Sequence, residues 1–279
     1  MLEHNILALC FYDDIICLQE VFGALSNRRK RIIEKAYQQK FKYIAESPDP
    51  PLLSGCVLDC GLLLLSKYPI LEQEFVPYTE SLHPDRSTFK GVLYAKIQIK
   101  NSIVNIFTTH LQSKHPTNSS KKYLDYRLIR RTQLDEISNL IKQKVRETEY
   151  IIIAGDLNVD GREELKPPPF PDIILDDYRC MIEILSKPIP LTDVLRTKYG
   201  ETPATFGRIG EDGNGIERVL TKDDQTKWDE GLDHILVGGN SRIDIDWNQV
   251  RVEPFYTPGQ VFTQISDHAG VQAAFIIPS

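Results

Sequence analysis

The sequence has too few cysteines for a disulfide-stabilised secreted domain. Its 279 residues include five cysteines, which is a small and odd number for a disulfide framework. Cys56 and Cys60 are close in the sequence, but no second Cys/His pair lies near them, which argues against a zinc site. We therefore expect reduced thiols, some of them buried.

Long apolar runs and an excess of positive charge are also missing. The longest apolar run, at residues 61–66, is far shorter than the ~20 residues of a membrane-spanning helix. The first residues show no signal-peptide pattern. The net charge of -6 and the pI near 5.6 argue mildly against a broad nucleic-acid-binding face. We expect a cytoplasmic protein without a transmembrane segment or a stable nucleic-acid partner, and peripheral membrane association stays open.

The composition is that of a globular protein, with 41% hydrophobic and 26% charged residues. No internal repeat or compositionally distinct linker divides the chain, so we predict one domain over residues 1–279 and a monomer.

Apolar runs of strand length alternate with helical patterns. The helical patterns cover residues 1–12, 24–46, 126–144 and 177–186. The strand patterns cover residues 15–18, 62–65, 92–99, 103–109, 151–155, 232–237 and 273–277, with a strand or turn at 191–196. Polar loops are expected at residues 72–88, 114–122 and 207–230. The pair 92–99 and 103–109 reads as a hairpin.

Two further patterns have ordinary structural explanations that we favour. The basic run at residues 28–31 is typical of a solvated helix face, although such runs also serve as nuclear signals or anion sites. The proline-rich run at residues 166–171 favours a surface loop over a polyproline ligand.

Polar residues stand where several apolar strands end. They are Glu20, His110, Asp156, Asn158, Asp233, Asp267 and His268. Each alone has an ordinary explanation: an Asx turn for Asp156 and Asn158, solvent contact for Glu20, a structural role for His110. Catalytic groups collect at strand ends on loops held by a sheet. The oxygen-rich set favours Mg²⁺, with Mn²⁺ as the alternative, over zinc.

Five segments in order resemble motifs of the endonuclease/exonuclease/phosphatase superfamily, which has the deoxyribonuclease I fold. They are residues 15–21, 108–111, 155–158 (Gly-Asp-Leu-Asn), 232–236 and 266–268 (Ser-Asp-His). The resemblance implies an α/β fold, a four-layer sandwich of two packed, mostly antiparallel sheets with helices outside. Residues 61–70, 90–93 and 109–113, followed by 127–134, most resemble the neutral sphingomyelinase branch, which contains phospholipase C-type phosphodiesterases.

The resemblance also implies roles for individual residues. Glu20 and Asp267 would serve the metal, and His268 would be the general base, oriented by Asp233. His110 would donate a hydrogen bond to a phosphate oxygen, with Asp59 as its partner.

Three further residues receive substrate-related roles from the same resemblance. Asp156 and Asn158 would orient the attacking water and the phosphate. Lys90 would contact the substrate.

One departure from the family pattern concerns the first strand. Members begin with a strand carrying an Asn, then a helix, then the strand that ends in the Glu. Only 19 residues precede Glu20, too few for that circuit at ~3.3 Å per strand residue and ~1.5 Å per helix residue. We therefore expect this strand to be absent, leaving a gap or an exposed edge beside Glu20.

The predicted function is Mg²⁺-dependent hydrolysis of sphingomyelin or a related choline phospholipid, at a membrane surface, to a lipid alcohol and phosphocholine. One alternative is a nuclease or inositol-phosphate phosphatase of the same fold. Another is a binding protein whose catalysis is impaired by the missing strand.

Overall fold

Strands and helices alternate along the chain in the computed structural model, which describes residues 13–23, 26–52, 54–115, 117–207, 229–239, 243–257, 259 and 263–277. The helices are α1 (Arg28–Gln38), α2 (Ser120–Lys144), α3 (Asp177–Leu185) and α4 (Val194–Tyr199). The strands are β1 (Ile15–Leu18), β2 (Tyr43–Glu46), β3 (Leu63–Ser66), β4 (Ile70–Pro77), β5 (Gly91–Ile99), β6 (Ser102–His110), β7 (Tyr150–Asp156), β8 (Leu191–Asp193), β9 (Asp233–Gly239), β10 (Asp244–Glu253) and β11 (Gly270–Ile276). The predicted helix at 1–12 and most of the predicted loop at 207–230 lie outside the described residues.

Six strands form one mixed sheet in the order β4-β5-β6-β7-β9-β8. Only β6 and β7 run parallel, and the other pairs are antiparallel. The predicted hairpin is confirmed as β5 and β6, which pair along their length. This sheet is therefore mostly antiparallel, as expected.

The second sheet layer consists of two pieces, β1-β3-β2 and β10-β11. Within the described ranges β1 pairs with β3 alone. The absence of the first strand stays a prediction, because residues 1–12 lie outside the described residues. β10 was missed by sequence patterns because most of its side chains are exposed or half-buried, which removes the apolar alternation of a half-buried strand.

Three clusters of buried side chains separate four layers. Leu62 and Leu64 face the core between the sheets, whereas Leu63 and Leu65 face α1. In the same way Ile152 of β7 points between the sheets, while its neighbours on the strand pack under α2 and α3. This alternation, which follows from the period of two in a strand, confirms the four-layer α/β sandwich.

The structure corrects two of the predicted elements. Residues 24–46 are not one helix, because α1 ends at Gln38, Lys40 adopts a left-handed φ of 72°, and Tyr43–Glu46 pairs with β3. Residues 72–88 are not all loop, since Ile70–Pro77 pairs with β5. That edge strand carries exposed glutamates, and edge charges hide the strand pattern.

The predicted helix at 126–144 begins earlier, at Ser120, where the Ser119 side chain accepts a hydrogen bond from the Lys122 amide at 3.3 Å. Serine is a favoured residue at this capping position. No helix in the described part of the chain is both long and apolar enough to cross a membrane.

Candidate active site

Three of the predicted polar residues form a row across neighbouring strand ends. His110 on β6 is in register with Asp156 on β7, which is in register with Asp233 on β9. All three side chains are buried. The parallel pairing of β6 and β7 brings His110 Nε2 to 3.4 Å from Asp156 Oδ2, so the sheet places a histidine and two carboxylates at one edge.

Gly155 allows the strands to approach closely beside this row. Its φ is +154°, and a Cβ at this position would lie 2.3 Å from the carbonyl oxygen of Thr109. That distance is far inside van der Waals contact. Glycine is therefore required for the register that joins His110 to Asp156.

An Asx turn holds Asn158 against Asp156. The Asn158 amide N–H donates to Asp156 Oδ1 at 2.9 Å, and its side-chain Nδ2 donates to Asp156 Oδ2 at 3.1 Å. Nδ2 also lies 3.2 Å from the carbonyl oxygen of Leu111, and Asn158 takes a left-handed φ of 49°. The Asx turn that was the ordinary structural explanation for Asp156 and Asn158 is therefore present. The same turn fixes the side-chain amide of Asn158 at the site.

His268 joins the row through Asp233. Its Nδ1 lies 2.8 Å from Asp233 Oδ2, and its ring packs on Phe206 with centroids 4.8 Å apart. Thr205 supports both partners, because its hydroxyl accepts the Asp233 amide at 3.1 Å and its carbonyl oxygen accepts the Ala269 amide at 2.7 Å. Sequence patterns gave no sign of Thr205 or Phe206, which lie in a loop without a motif.

The carboxylates dominate the electrostatics of His268. Burial alone would lower its pKa, but the charges of Asp233, Asp156 and Asp267 and the hydrogen bond to Asp233 raise the pKa to about 10. Burial and the charge of Asp233 raise the pKa of Asp156 to about 7. By contrast, burial and then the charge of Lys90 hold the pKa of His110 well below its usual value.

Glu20 lies on the open side of the row. It lies two residues after the end of β1 and has a left-handed φ of 59°. Its Oε1 is 3.9 Å from Nδ1 of His110. Desolvation by the surrounding protein and the charge of Asp267 raise the pKa of Glu20. Glu20 and Asp267 are therefore near enough to repel each other.

Two residues have partners other than those expected. Lys90 is buried, and its Nζ lies 2.6 Å from the carbonyl oxygen of Leu111 and 2.8 Å from Asp85 Oδ2, so its contact with substrate stays a prediction. Asp59 pairs with Arg29 rather than serving His110, whose ring nitrogens face Glu20 and Asp156. Arg29 was predicted within a solvated basic run, but it is buried.

The donor set fits a hard divalent cation that keeps much of its water. No three His, Cys, Asp or Glu side chains among the described residues converge into a preformed cage. Mg²⁺ is commonly held by one or two carboxylates, water and substrate phosphate. Glu20 and Asp267 offer two such carboxylates. After desolvation, the charge of Asp267 is the next cause of the raised pKa of Glu20, and a cation between the two carboxylates would offset that repulsion.

The sequence pattern of the Endonuclease/Exonuclease/phosphatase family matches residues 2–268 of this chain. A sphingomyelinase of Dictyostelium discoideum is 33% identical over 326 residues, covering 92% of this chain and 70% of that protein. A mutant of beta toxin from Staphylococcus aureus with bound magnesium ions has a TM-score of 0.64 at 18% identity, covering 97% of this chain and 90% of that chain. D. rerio TDP2, complexed with a single-strand DNA product, has a TM-score of 0.68 at 14% identity, covering 99% and 92%. At these identities the two structures share the fold alone.

Proposed function

This chain belongs to the Endonuclease/Exonuclease/phosphatase family, and we propose that it hydrolyses sphingomyelin or a related choline phospholipid as a phospholipase C-type phosphodiesterase. The products are a lipid alcohol, ceramide in the case of sphingomyelin, and phosphocholine. The substrate class follows the Dictyostelium sphingomyelinase, which is similar to most of this chain.

The observation that carries the proposal is the pairing of His268 with Asp233 next to the row of His110 and Asp156. With Nδ1 engaged by Asp233 at 2.8 Å, the remaining ring nitrogen, Nε2, is the one that exchanges a proton with water. A histidine oriented by a carboxylate is a common general base. This pairing supports a general-base role for His268 in hydrolysis of a phosphodiester.

In the proposed reaction, a water oxygen forms a bond to phosphorus while the bond from phosphorus to the lipid oxygen breaks. The proton of that water passes to Nε2 of His268, and Asp233 stabilises the imidazolium. The departing lipid oxygen takes up a proton from solvent to give the alcohol, and the imidazolium later returns its proton to solvent. Asp156 and Asn158, locked together by the Asx turn, orient the water and the phosphate. His110, neutral because its pKa is lowered, has one N–H to donate to a phosphate oxygen.

Glu20 and Asp267 are the proposed ligands of Mg²⁺, with Mn²⁺ as a substitute. When bound, the cation supplies positive charge that stabilises the phosphate in the transition state and offsets the carboxylates that keep His268 protonated.

The proposal is tested by phosphocholine release from sphingomyelin vesicles with Mg²⁺ and with EDTA. We expect release with Mg²⁺, none with EDTA, and a loss of roughly 10²–10⁴-fold in His268→Ala, the usual contribution of a general base. His83→Ala is the matched control, because His83 is exposed. Equal activity of the wild type and His268→Ala would rule out the assigned base.

Parallel assays with phosphatidylcholine, lyso-choline lipids, inositol phosphates and plasmid DNA decide the substrate. The shared fold with TDP2 makes DNA the relevant competing substrate, whereas the acidic composition disfavours it. Nicking of plasmid without phosphocholine release would replace the lipid proposal by the nuclease alternative. No turnover of any diester would end the enzyme proposal for this chain.

A further inference from the structure

A buried ion pair contacts the backbone segment that follows Glu20. Arg29, on the first turn of α1, pairs with Asp59, and both side chains are buried. The same guanidinium donates from Nε to the carbonyl oxygen of Val21 at 3.0 Å and from a second nitrogen to that of Ser47 at 3.1 Å. One side chain thus joins α1 to three other segments.

The pair holds the chain that follows Glu20. The Gly23 amide donates to Asp59 Oδ2 at 2.9 Å, and the Gly61 amide donates to Asp59 Oδ1 at 2.7 Å. The Val21 amide in turn donates to the carbonyl oxygen of Gly61 at 2.8 Å. Both polar groups of the Val21 backbone and the amide of Gly23 are therefore anchored within three residues of Glu20.

Close packing limits where Glu20 can move. A Cβ on Gly61 would lie 3.0 Å from Glu20 Cα and 2.9 Å from the Val21 nitrogen, and Gly61 itself has a φ of +67°. On the preceding side Leu18 pairs with Leu63. The Glu20 backbone is therefore enclosed, and its left-handed conformation is imposed by its surroundings.

The chain before Glu20 has its own anchor. Gln19 Nε2 donates to the hydroxyl oxygen of Thr108 at 3.1 Å, on the strand that ends in His110. The side chain of Glu20 thus projects from a backbone that is fixed on both sides and tied to the strand that carries the histidine.

We propose that Arg29 and Asp59 are positioning residues that set the affinity of the site for its divalent cation by fixing the backbone of Glu20. The inference rests on the proposed function, in which Glu20 is a cation ligand. Residues that orient a metal ligand without touching the metal commonly contribute 10–100-fold to metal affinity or activity. Here the orientation is transmitted through the backbone of residues 20–23 and not through a bond to the Glu20 carboxylate.

The test measures Mn²⁺ binding to the free protein by electron paramagnetic resonance, without substrate. Arg29→Lys keeps the positive charge but loses the planar guanidinium and its several N–H donors. Asp59→Asn keeps the size and shape of the side chain but loses its negative charge. We expect each variant to bind Mn²⁺ about 10-fold or more weakly. In activity assays a higher Mg²⁺ concentration should restore kcat, because the reacting groups are intact.

Arg127→Lys is the matched control. Arg127 is also buried and pairs with Asp177, its Nε lying 2.6 Å from Oδ1. Its guanidinium donates hydrogen bonds to residues 174–177, away from Glu20. We expect a lower Tm in this variant and unchanged Mn²⁺ binding. Hydrogen exchange of the Val21 and Gly23 amides should accelerate in the Arg29 and Asp59 variants and not in the control.

Gly61→Ala provides a second test, because its Cβ would crowd the Glu20 backbone directly and the substitution replaces neither member of the ion pair. Weaker Mn²⁺ binding in Gly61→Ala and Arg29→Lys supports the inference. If Glu20→Gln weakens binding but folded Gly61→Ala, Arg29→Lys and Asp59→Asn bind as tightly as the wild type, the positioning role is overturned alone. If Glu20→Gln itself binds normally, the proposed ligand is wrong and the inference fails with it.

Discussion

Nδ1 of His268 lies 2.8 Å from Oδ2 of Asp233, although 35 positions separate the two residues in the chain. Asp233 opens β9, and His268 lies just before β11, so the contact joins the two sheet layers at the candidate site. The hydrogen bond and the shared carboxylate charge couple the two side chains, so we expect the proposed base and its partner to act as one unit.

Asp233→Asn should remove most activity while the fold survives. Without the carboxylate, the largest charge that raises the pKa of His268 is gone and its ring loses its orientation. We expect kcat/KM to fall by ~10²–10⁴-fold, the range for general acid–base groups. The double variant with His268→Ala should be little worse than either single variant, because the residues act as a unit. Multiplicative losses would show that they act independently.

His234 should make the stability of the protein depend on pH. Its ring is fully buried, with Nδ1 3.2 Å from Asp193 Oδ2 and Nε2 2.9 Å from the carbonyl oxygen of Val159. Both nitrogens face acceptors, so the imidazolium satisfies both. Burial alone would lower the pKa of His234, but Asp193 outweighs it and raises the pKa above 6.5.

The pKa of His234 is higher in the folded state than in the unfolded state. The stabilisation that protonated His234 provides is therefore complete below pH 6.5, and it is lost as the pH rises through the folded-state pKa. His234→Gln should cost about 1–3 kcal/mol at low pH through unsatisfied buried acceptors and should flatten that decline. Urea unfolding at several pH values measures both effects, with His83→Gln as an exposed control. If the free energy of unfolding falls with pH equally in the wild type and in His234→Gln, a group other than His234 causes the pH dependence.

Gly155→Ala should disrupt the register of His110 and Asp156. The added Cβ would meet the Thr109 carbonyl oxygen at 2.3 Å, so β6 and β7 must separate. We expect a loss of about 1–3 kcal/mol in the free energy of unfolding, as for other overpacked sites, together with lower kcat. Gly200→Ala is the control, since Gly200 has a φ of +80° with nothing within 4 Å. It should cost only backbone strain and leave kcat unchanged.

Lys90→Met distinguishes a structural role from the predicted contact with substrate. Loss of the ammonium leaves Asp85 buried without its 2.8 Å partner, and breaking a buried pair on one side costs roughly 3–5 kcal/mol. We therefore expect a large fall in the free energy of unfolding, measured with urea. A stable variant with an increased KM would instead support direct binding of the substrate by Lys90.

Local patterns predicted the elements that carry the site. The apolar run of β7 ends at Asp156, and that of β1 ends just before Glu20. A strand that is covered on both faces is apolar along its length. Such a strand can therefore be recognised from a short stretch of sequence. The hairpin of β5 and β6 was equally local, because adjacent strands joined by a two-residue turn pair with each other.

The sequence-based predictions were wrong where the same local pattern fits two different structures. Phe41 and Ile44 fit a helix that continues from α1, but the strand Tyr43–Glu46 satisfies its backbone on β3 instead, and tertiary pairing overrides a weak helical preference. Arg29 resembled its solvated neighbours in the basic run. Its burial depends on tertiary contacts: the carboxylate of Asp59 and the carbonyl oxygens of Val21 and Ser47.

The primary sequence was enough to predict which polar residues follow apolar strands, and therefore that carboxylates and histidines would be available at strand ends. Tertiary structure decided which of them meet: the register placed His110, Asp156 and Asp233 in one row, and the approach of β11 brought His268 to Asp233. The reason is physical. The pattern of apolar and polar residues along a strand can be read from a short stretch of sequence, whereas strand register and ion pairing depend on how distant segments pack.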